Sequence, residues 1–239
     1  MARLRRIVMP GQAHVIIHRG HNGQGVFVDD RDRDSYLTSL RDAAAEAGVA
    51  IHAYGLFGHE LRLLATPRDA AALGRMMQSV GRRFVRGFNQ RHGRTGTPWE
   101  GRFRSAAIEA STHFLACLRF VEGLSEAGGA AAQPGDREAL HSSAAHHLAG
   151  RDDSVVQAHP VYWALGNTPF EREAAYRRFV SQPASTQQLA AILHAAMHGW
   201  VLGSDTFAAR AADHAQRKAR PSSPGRPRKT RNNLSLINR

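Results

Sequence analysis

The chain has 239 residues, of which 42% are hydrophobic, so it can form one full domain and a smaller C-terminal region. Lys and Arg total 32 against 20 acidic residues, and the net charge of +12 favours a polyanionic partner, nucleic acid before anionic lipid. Thirty of the basic residues are Arg, which binds phosphate through paired hydrogen bonds, although coding bias explains the Arg excess equally well.

Cysteine content and apolar pattern exclude several protein classes. The only cysteine, Cys117, excludes a disulfide framework or a cysteine-based zinc site within one chain. No stretch approaches the ~18 apolar residues of a membrane span, and the N-terminal MARLRRIVMPGQ lacks the apolar run of a signal peptide. We therefore expect a cytoplasmic protein without a membrane partner.

The first half of the chain alternates between strand and helix patterns. Residues 13–19 form a short β-branched run, 49–67 read as a hairpin turning at Phe57-Gly58-His59, and 101–110 read as a further strand. Helical spacing of apolar residues spans 30–47, 68–92 and 111–127. The order β-α-β-β-α-β-α predicts an α+β, ferredoxin-like domain with helices on one face of an antiparallel sheet.

Composition divides the chain into four parts. Residues 1–127 make the predicted domain, and the Gly- and Ala-rich 128–136 make a linker. Residues 137–216 are a small helical region, with short helices at 137–150, 169–181 and 184–199. The tail 217–239 holds eight basic residues and no acid, so we expect it to be disordered.

Arginine is concentrated between Arg75 and Arg104, where eight Arg accompany one acid, Glu100. A purely structural surface normally mixes charge signs, so this bias favours a DNA-binding face. The residues expected to contact the DNA backbone are Arg82, Arg83, Arg86, Arg91, Arg94, Arg102 and Arg104. Trp99 lies among them and could stack on unpaired bases or pack in the core.

The basic tail carries a second DNA-binding pattern. The run Gly225-Arg226-Pro227-Arg228-Lys229 resembles an AT-hook, whose extended Arg-Pro-Arg lies in the minor groove of A·T-rich DNA. We count Arg226, Arg228 and Lys229 as candidate DNA contacts, with a solubilising basic tail as the alternative.

Several longer blocks carry a family resemblance. HVIIHRGHNGQGVF, AYGLFGHELRLLATP, RRFVRGFNQRHGRTGTPWEGRFRS and FLACLRFV occur in this order. Together they resemble the single-tyrosine HUH transposases, in particular the REP-associated tyrosine transposases of bacteria. The C-terminal HPVYWALGNTPFEREAAYRRF, GWVLGSDTF and GRPRK are similar to the tails of that family, so the resemblance covers nearly the whole chain.

The resemblance implies an enzyme that acts on single-stranded DNA hairpins during DNA transposition. Two His one residue apart on a strand bind Mg²⁺ or Mn²⁺, helped by a polar residue four positions after a nucleophilic tyrosine. Two side chains with one residue between them on a strand point to the same face, so both imidazoles can ligate one ion. The metal polarises the phosphate, and the phenol attacks it to form a covalent intermediate.

This sequence departs from the motif at every chemical position. Glu60 and Arg62 stand where the family has its two His, Phe120 stands at the nucleophile position, and Leu124 stands at the polar position. We therefore predict that no catalytic position is intact and that no metal is bound. A rebuilt site at His52 and Tyr54, which should share a strand face, is the less favoured possibility.

The sequence thus predicts a DNA-binding protein of the transposase family that recognises structured single-stranded DNA without cleaving it. Three alternatives stay open: a transposase or nickase that still cuts and rejoins single strands, a general RNA-binding module, and a decaying gene product without a retained role. The sequence leaves open whether the protein is a monomer or a homodimer.

Overall fold

The computed structural model describes residues 5–124 and 141–221. Its first part has the predicted order of elements, which confirms the α+β, β-α-β-β-α-β-α domain. The elements are β1 His14–Arg19, α1 Asp30–Ala47, β2 Val49–Leu56, β3 Glu60–Pro67, α2 Ala72–Arg91, β4 Arg104–Ala107 and α3 Ala110–Val121.

The C-terminal part is mainly helical, as predicted. Its elements are β5 His141–Ser142, α4 Ala144–Ala149, α5 Pro160–Trp163, α6 Pro169–Ser181, α7 Thr186–His198 and α8 Asp205–Ala215. The sequence did not predict β5, α5 or α8. The first two are too short to show a period, and α8 is rich in alanine with Phe207 as its one large apolar side chain.

The strands form one antiparallel sheet in the order β4-β1-β3-β2-β5. Its register places four residues side by side across four strands. Ile17 of β1 pairs with Arg62 of β3 on one side and with Arg104 of β4 on the other, and Arg62 pairs in turn with Gly55 of β2. Residues in one such row point to the same face of the sheet, so Arg62 and Arg104 share a face.

Helices cover both faces of the sheet, and the prediction of one covered face is wrong. α1 and α2 pack on the face that carries Ile16, Leu61 and Leu63. α3 and helices of the C-terminal part pack on the opposite face, against Ile17 and Leu64. The physical reason is that β1 is apolar on both faces, with Ile16 on one and Val15 and Ile17 on the other, and both must be shielded from water.

Local capping signals fix several helix ends. Asp29 caps α1 by accepting a hydrogen bond from the N–H of Asp32, and Gly48 ends that helix in the left-handed conformation with φ 70°. α3 ends at Val121, earlier than the predicted residue 127, because Gly123 with φ 74° turns the chain away.

The end of the described chain packs against the rest of the protein. Ala219 is buried, and its carbonyl accepts a hydrogen bond from the N–H of Val201. The first residues of the predicted tail, 217–221, are therefore part of the packed structure. The predicted linker 128–136 and the residues 222–239 lie outside the described residues. Within the described ranges, every helix is too short or too polar to cross a membrane.

Candidate nucleic-acid interface

The structure brings together three of the four positions that the resemblance assigns to chemistry. Glu60 opens β3, Arg62 follows on the same face, and Phe120 reaches them from the last turn of α3. The close approach depends on Gly55, because a Cβ atom there would lie 2.2 Å from the carbonyl oxygen of Val121. Glycine at this position therefore lets α3 sit directly on β2.

Glu60 is a buried carboxylate held by two guanidinium groups. Its side chain accepts hydrogen bonds from Nε of Arg62 at 2.6 Å and from Nε of Arg19 at 2.5 Å. Burial raises the pKa of Glu60, but the Arg62 and Arg19 cations outweigh it, so the net shift of the pKa is downward. Glu60 is therefore ionised at neutral pH.

Arg62 lies between two aromatic rings. Its guanidinium carbon is 4.1 Å from the centre of the Phe57 ring and 4.4 Å from that of Phe120, and it donates to the Phe120 carbonyl oxygen at 3.2 Å. Cation–π contacts of this kind hold a cation over an aromatic face. Leu124, the fourth degenerate position, is half-buried and packs in the apolar cluster that includes Phe120.

The residues at this centre do not fit a divalent metal ion. A guanidinium offers no lone pair to a metal, and the carboxylate oxygens of Glu60 already accept from two cations. Among residues 5–124 and 141–221 there is no group of three or more His, Cys, Asp or Glu side chains placed to hold a metal. Among the described residues the centre is thus an ion-pair cluster of one carboxylate and two guanidinium groups.

His52 and Tyr54 do not share a face, so the possibility of a rebuilt site there was wrong. A β-bulge between Ile51 and Ala53 turns His52 towards α3, where its ring packs against Phe114, while Tyr54 belongs to the core under α1 and α2. Burial lowers the pKa of His52 to about 4. A bulge breaks the period-two alternation on which the sequence argument depended.

The predicted basic face of α2 is largely compensated by acids. Arg83 pairs with Glu46 at 2.6 Å, and Arg91 pairs with Asp29 at 2.6 Å and with Asp32 at 3.1 Å. Arg82 and Arg86 are exposed, and no described acid pairs with either. α2 also covers the opposite face of the sheet from Arg62, so the structure separates it from the Glu60 centre.

Trp99 is a core residue, which corrects the expectation that it stacks on unpaired bases. Its side chain is 5% exposed, and its ring stacks on His18 with centroids 4.1 Å apart. Further edge contacts join it to Phe27 and Tyr36. The packing interpretation of Trp99 is therefore the correct one, since a buried ring cannot receive a base.

The remaining predicted contacts fall into three environments. Arg94 is half-buried and donates to Gln24 at 3.3 Å, while Arg104 donates to the carbonyl oxygen of Met197 at 3.3 Å. Arg102 is exposed. The tail residues Arg226, Arg228 and Lys229 lie outside the described residues.

A basic groove forms where β4 meets the two ends of the described chain. Its volume is about 200 Å³. The residues that line it are Arg5, Arg6, Arg102, Phe103, Arg104, Ser105, Ala196, Met197, His198, Gly199 and Arg217. Sequence reasoning found Arg102 and Arg104 but missed Arg5, Arg6 and Arg217. Only the local basic pairs at 5–6 and 217–218 could have drawn attention to them, and nothing in the sequence says that they meet.

A second polar cluster that the sequence did not reveal ties the C-terminal part to α3. Glu122 is fully buried, and its carboxylate accepts from the Ser143 hydroxyl at 2.8 Å, from the Tyr176 hydroxyl at 2.9 Å and from Nδ1 of His147 at 2.6 Å. These bonds give a buried carboxyl group its partners and hold Ser143, His147 and Tyr176 against the end of α3.

No family model and no curated protein matches the chain. It is similar to solved transposase structures. One is a REP-associated tyrosine transposase bound to a REP hairpin, which is 12% identical with a TM-score of 0.47 over 66% of this chain and 93% of that chain. Another is a presumed transposase from Deinococcus radiodurans R1, 22% identical with a TM-score of 0.35 over 52% of this chain and 97% of that chain.

Proposed function

We propose that this chain is a cytoplasmic DNA-binding protein of the transposase family that recognises structured single-stranded DNA, such as a hairpin, without cutting it. The ordered motif blocks support the family. The observation that carries the proposal is the centre formed by Glu60, Arg62 and Phe120, where a guanidinium and a phenyl ring occupy the positions assigned to metal binding and nucleophilic attack.

Strand cleavage by this type of site needs two chemical groups that the centre lacks. The attacking group must be an oxygen that bonds to phosphorus, and the ring of Phe120 presents only C–H bonds. A metal ion that polarises the phosphate must be coordinated by free lone pairs of the protein. The oxygens of the Glu60 carboxylate instead accept hydrogen bonds from Arg19 and Arg62. The centre therefore supports no phosphotyrosine chemistry.

The centre that carries Glu60, Arg62 and Phe120 keeps cationic groups that can attract DNA. Arg19 and Arg62 place two guanidinium groups beside one carboxylate, Glu60, on a sheet face that Arg104 shares. Guanidinium groups match phosphate oxygens in geometry and charge. A scaffold that has lost its nucleophile can therefore still hold a nucleic-acid backbone.

Binding is tested by fluorescence anisotropy with a labelled single-stranded DNA hairpin at several salt concentrations. Plain duplex DNA and an RNA hairpin of the same sequence serve as competitors. We expect the DNA hairpin to bind preferentially, with an affinity that falls by about 0.7 log unit per log unit of salt for each phosphate contact. Preference for RNA would replace the proposal with an RNA-binding module, and absence of binding would favour a decayed transposase.

Cleavage is tested separately on a denaturing gel. The hairpin is incubated with the protein in Mg²⁺ or Mn²⁺, and we expect neither a shortened strand nor a covalent protein–DNA adduct. A cut strand that disappears when Glu60 is replaced by Ala would overturn the proposal in favour of an active transposase or nickase.

A further inference from the structure

Three distant parts of the chain build the basic groove. Arg5 comes from the N-terminal segment, Arg102 and Arg104 come from the start of β4, and Arg217 follows α8. The end of α7, at Met197 and Gly199, forms the opposite wall. Such a composite site exists only when the C-terminal part is packed on the sheet.

No acid of the described residues pairs with Arg5, Arg102, Arg104 or Arg217, four of the groove's arginines. None of the described residues that line it is Asp or Glu. Arg104 and Arg217 donate to main-chain carbonyls, those of Met197 and Gly199, so their positions are fixed while their charges remain. This differs from α2, where carboxylates neutralise Arg83 and Arg91.

A purely structural role explains only part of this groove. Cations at the end of a helix are stabilised by its unpaired carbonyls, and Arg104 and Arg217 satisfy that role for α7. Arg5 and Arg102, in contrast, make no ion pair or hydrogen bond with any residue of the described ranges. Repulsion between such charges must be offset by a ligand of opposite sign or screened by salt.

Polar groups without partners also lie at the groove. Ser105 is 3% exposed, and its hydroxyl has no hydrogen-bond partner among the described groups. The buried Nε of Arg217 likewise lacks one. Both residues line the groove, and buried donors without acceptors are unusual in folded proteins.

The groove is in line with the Glu60 centre. Arg104 and Arg62 occupy one row of the sheet with Ile17 between them, so their Cα atoms are roughly 10 Å apart at the usual strand spacing. We propose that the groove binds adjacent phosphates of a DNA backbone and is the main electrostatic contact with DNA, in place of the outer face of α2. This inference rests on the proposed function and assigns its binding surface.

The test compares two double substitutions that remove equal charge. R5Q/R102Q removes groove arginines that hold no structural contact, and R82Q/R86Q removes exposed arginines of α2. Affinity for the labelled DNA hairpin is measured by anisotropy across a salt series. Circular dichroism and urea unfolding check that both variants are folded.

We expect R5Q/R102Q to weaken binding by about tenfold or more and to flatten the log–log salt slope by about 1.4, or 0.7 for each lost contact. R82Q/R86Q should change affinity by no more than about twofold. The opposite ranking, or equal effects, would overturn the assignment of the groove while leaving hairpin binding by the native protein intact. If the native protein binds no hairpin, that result would instead contradict the proposed function.

Competition with inorganic phosphate at matched ionic strength tests whether the groove binds a DNA backbone or a single free phosphate ion. A single phosphate cannot span arginines that come from several chain segments, so we expect it not to displace the hairpin. Displacement that is lost in R5Q/R102Q would overturn the proposal, because the groove would then be a site for a free phosphate.

Discussion

Nε of Arg62 lies 2.6 Å from Oε1 of Glu60, and the guanidinium of the same arginine lies over the Phe120 ring. One side chain thus links the two strand positions and the helix position that the motif assigns to chemistry. Arg62 places a fixed positive charge, with no lone pair for a metal, among these positions, and its contacts with Glu60 and Phe120 hold the strand and the helix together.

Replacing Glu60 by Ala should lower the free energy of unfolding by about 3 kcal/mol, because it removes the ion pair between Glu60 and the mostly buried Arg62. Urea unfolding followed by circular dichroism measures this loss. The control is Asp30→Ala, which breaks a pair whose acid is 88% exposed and should cost no more than about 0.5 kcal/mol. Equal losses in the two variants would contradict a stabilising role for the buried pair.

Stability should fall as the pH drops from 6.5 towards 4. Burial lowers the pKa of His14 to about 4 in the folded protein, against an ordinary histidine pKa of 6.5, so the unfolded chain takes up the proton first. The contribution of His14 is complete above pH 6.5 and is lost at up to about 1.4 kcal/mol per pH unit below it. His14→Gln should flatten this dependence in urea titrations, and an unchanged slope would refute it.

Gly55→Ala should destabilise the protein by about 2 kcal/mol or more, since its Cβ would lie 2.2 Å from the Val121 carbonyl oxygen. Gly74→Ala is the matched control. A Cβ at Gly74 meets nothing within 4 Å, and alanine is the better helix former, so this change should stabilise by about 0.5–1 kcal/mol. Thermal unfolding of both variants checks the opposite signs, and a stable Gly55→Ala protein would mean that α3 does not sit this close to β2.

Tyr176→Phe should cost about 1.5–3 kcal/mol, because its hydroxyl donates to the ionisable Glu122 carboxyl group at 2.9 Å in a buried cluster. Tyr36→Phe provides the comparison. The Tyr36 hydroxyl is buried without a partner among the described groups, so its removal should be neutral or slightly stabilising. If denaturant unfolding shows the same cost for both, the Glu122 cluster is not the source of the stability.

Phe120→Tyr by itself should not restore DNA cleavage. The new phenol would still face Arg62 and the engaged carboxylate of Glu60, with no ligand set for a metal. The denaturing gel with Mn²⁺ should show a covalent adduct only for the quadruple variant E60H/R62H/F120Y/L124Q, in which all four positions carry the residue types of the motif. An adduct from the single substitution would mean that the substituted centre still activates a nucleophile.

Local patterns were sufficient for much of the fold. The bounds of α1 at Asp30–Ala47 and of α6 at Pro169–Ser181 were predicted to the residue, because each has a capping residue and a helical period within its own sequence. The degenerate positions Glu60 and Arg62 were likewise found from their place in a motif, and β3 does bring them to one face. Period and spacing are properties of neighbouring residues, so the chain displays them before it folds.

Charge compensation, in contrast, depends on residues far apart in the chain. The sequence alone could not distinguish Arg83, which meets Glu46 of α1, from Arg102, which meets no acid in the part of the chain that the structure describes. It also could not show that Trp99 is buried or that a bulge turns His52 away from Tyr54. The groove that joins Arg5, Arg104 and Arg217 arises only when both ends of the chain pack against β4, because a binding surface of this kind is created by tertiary contacts.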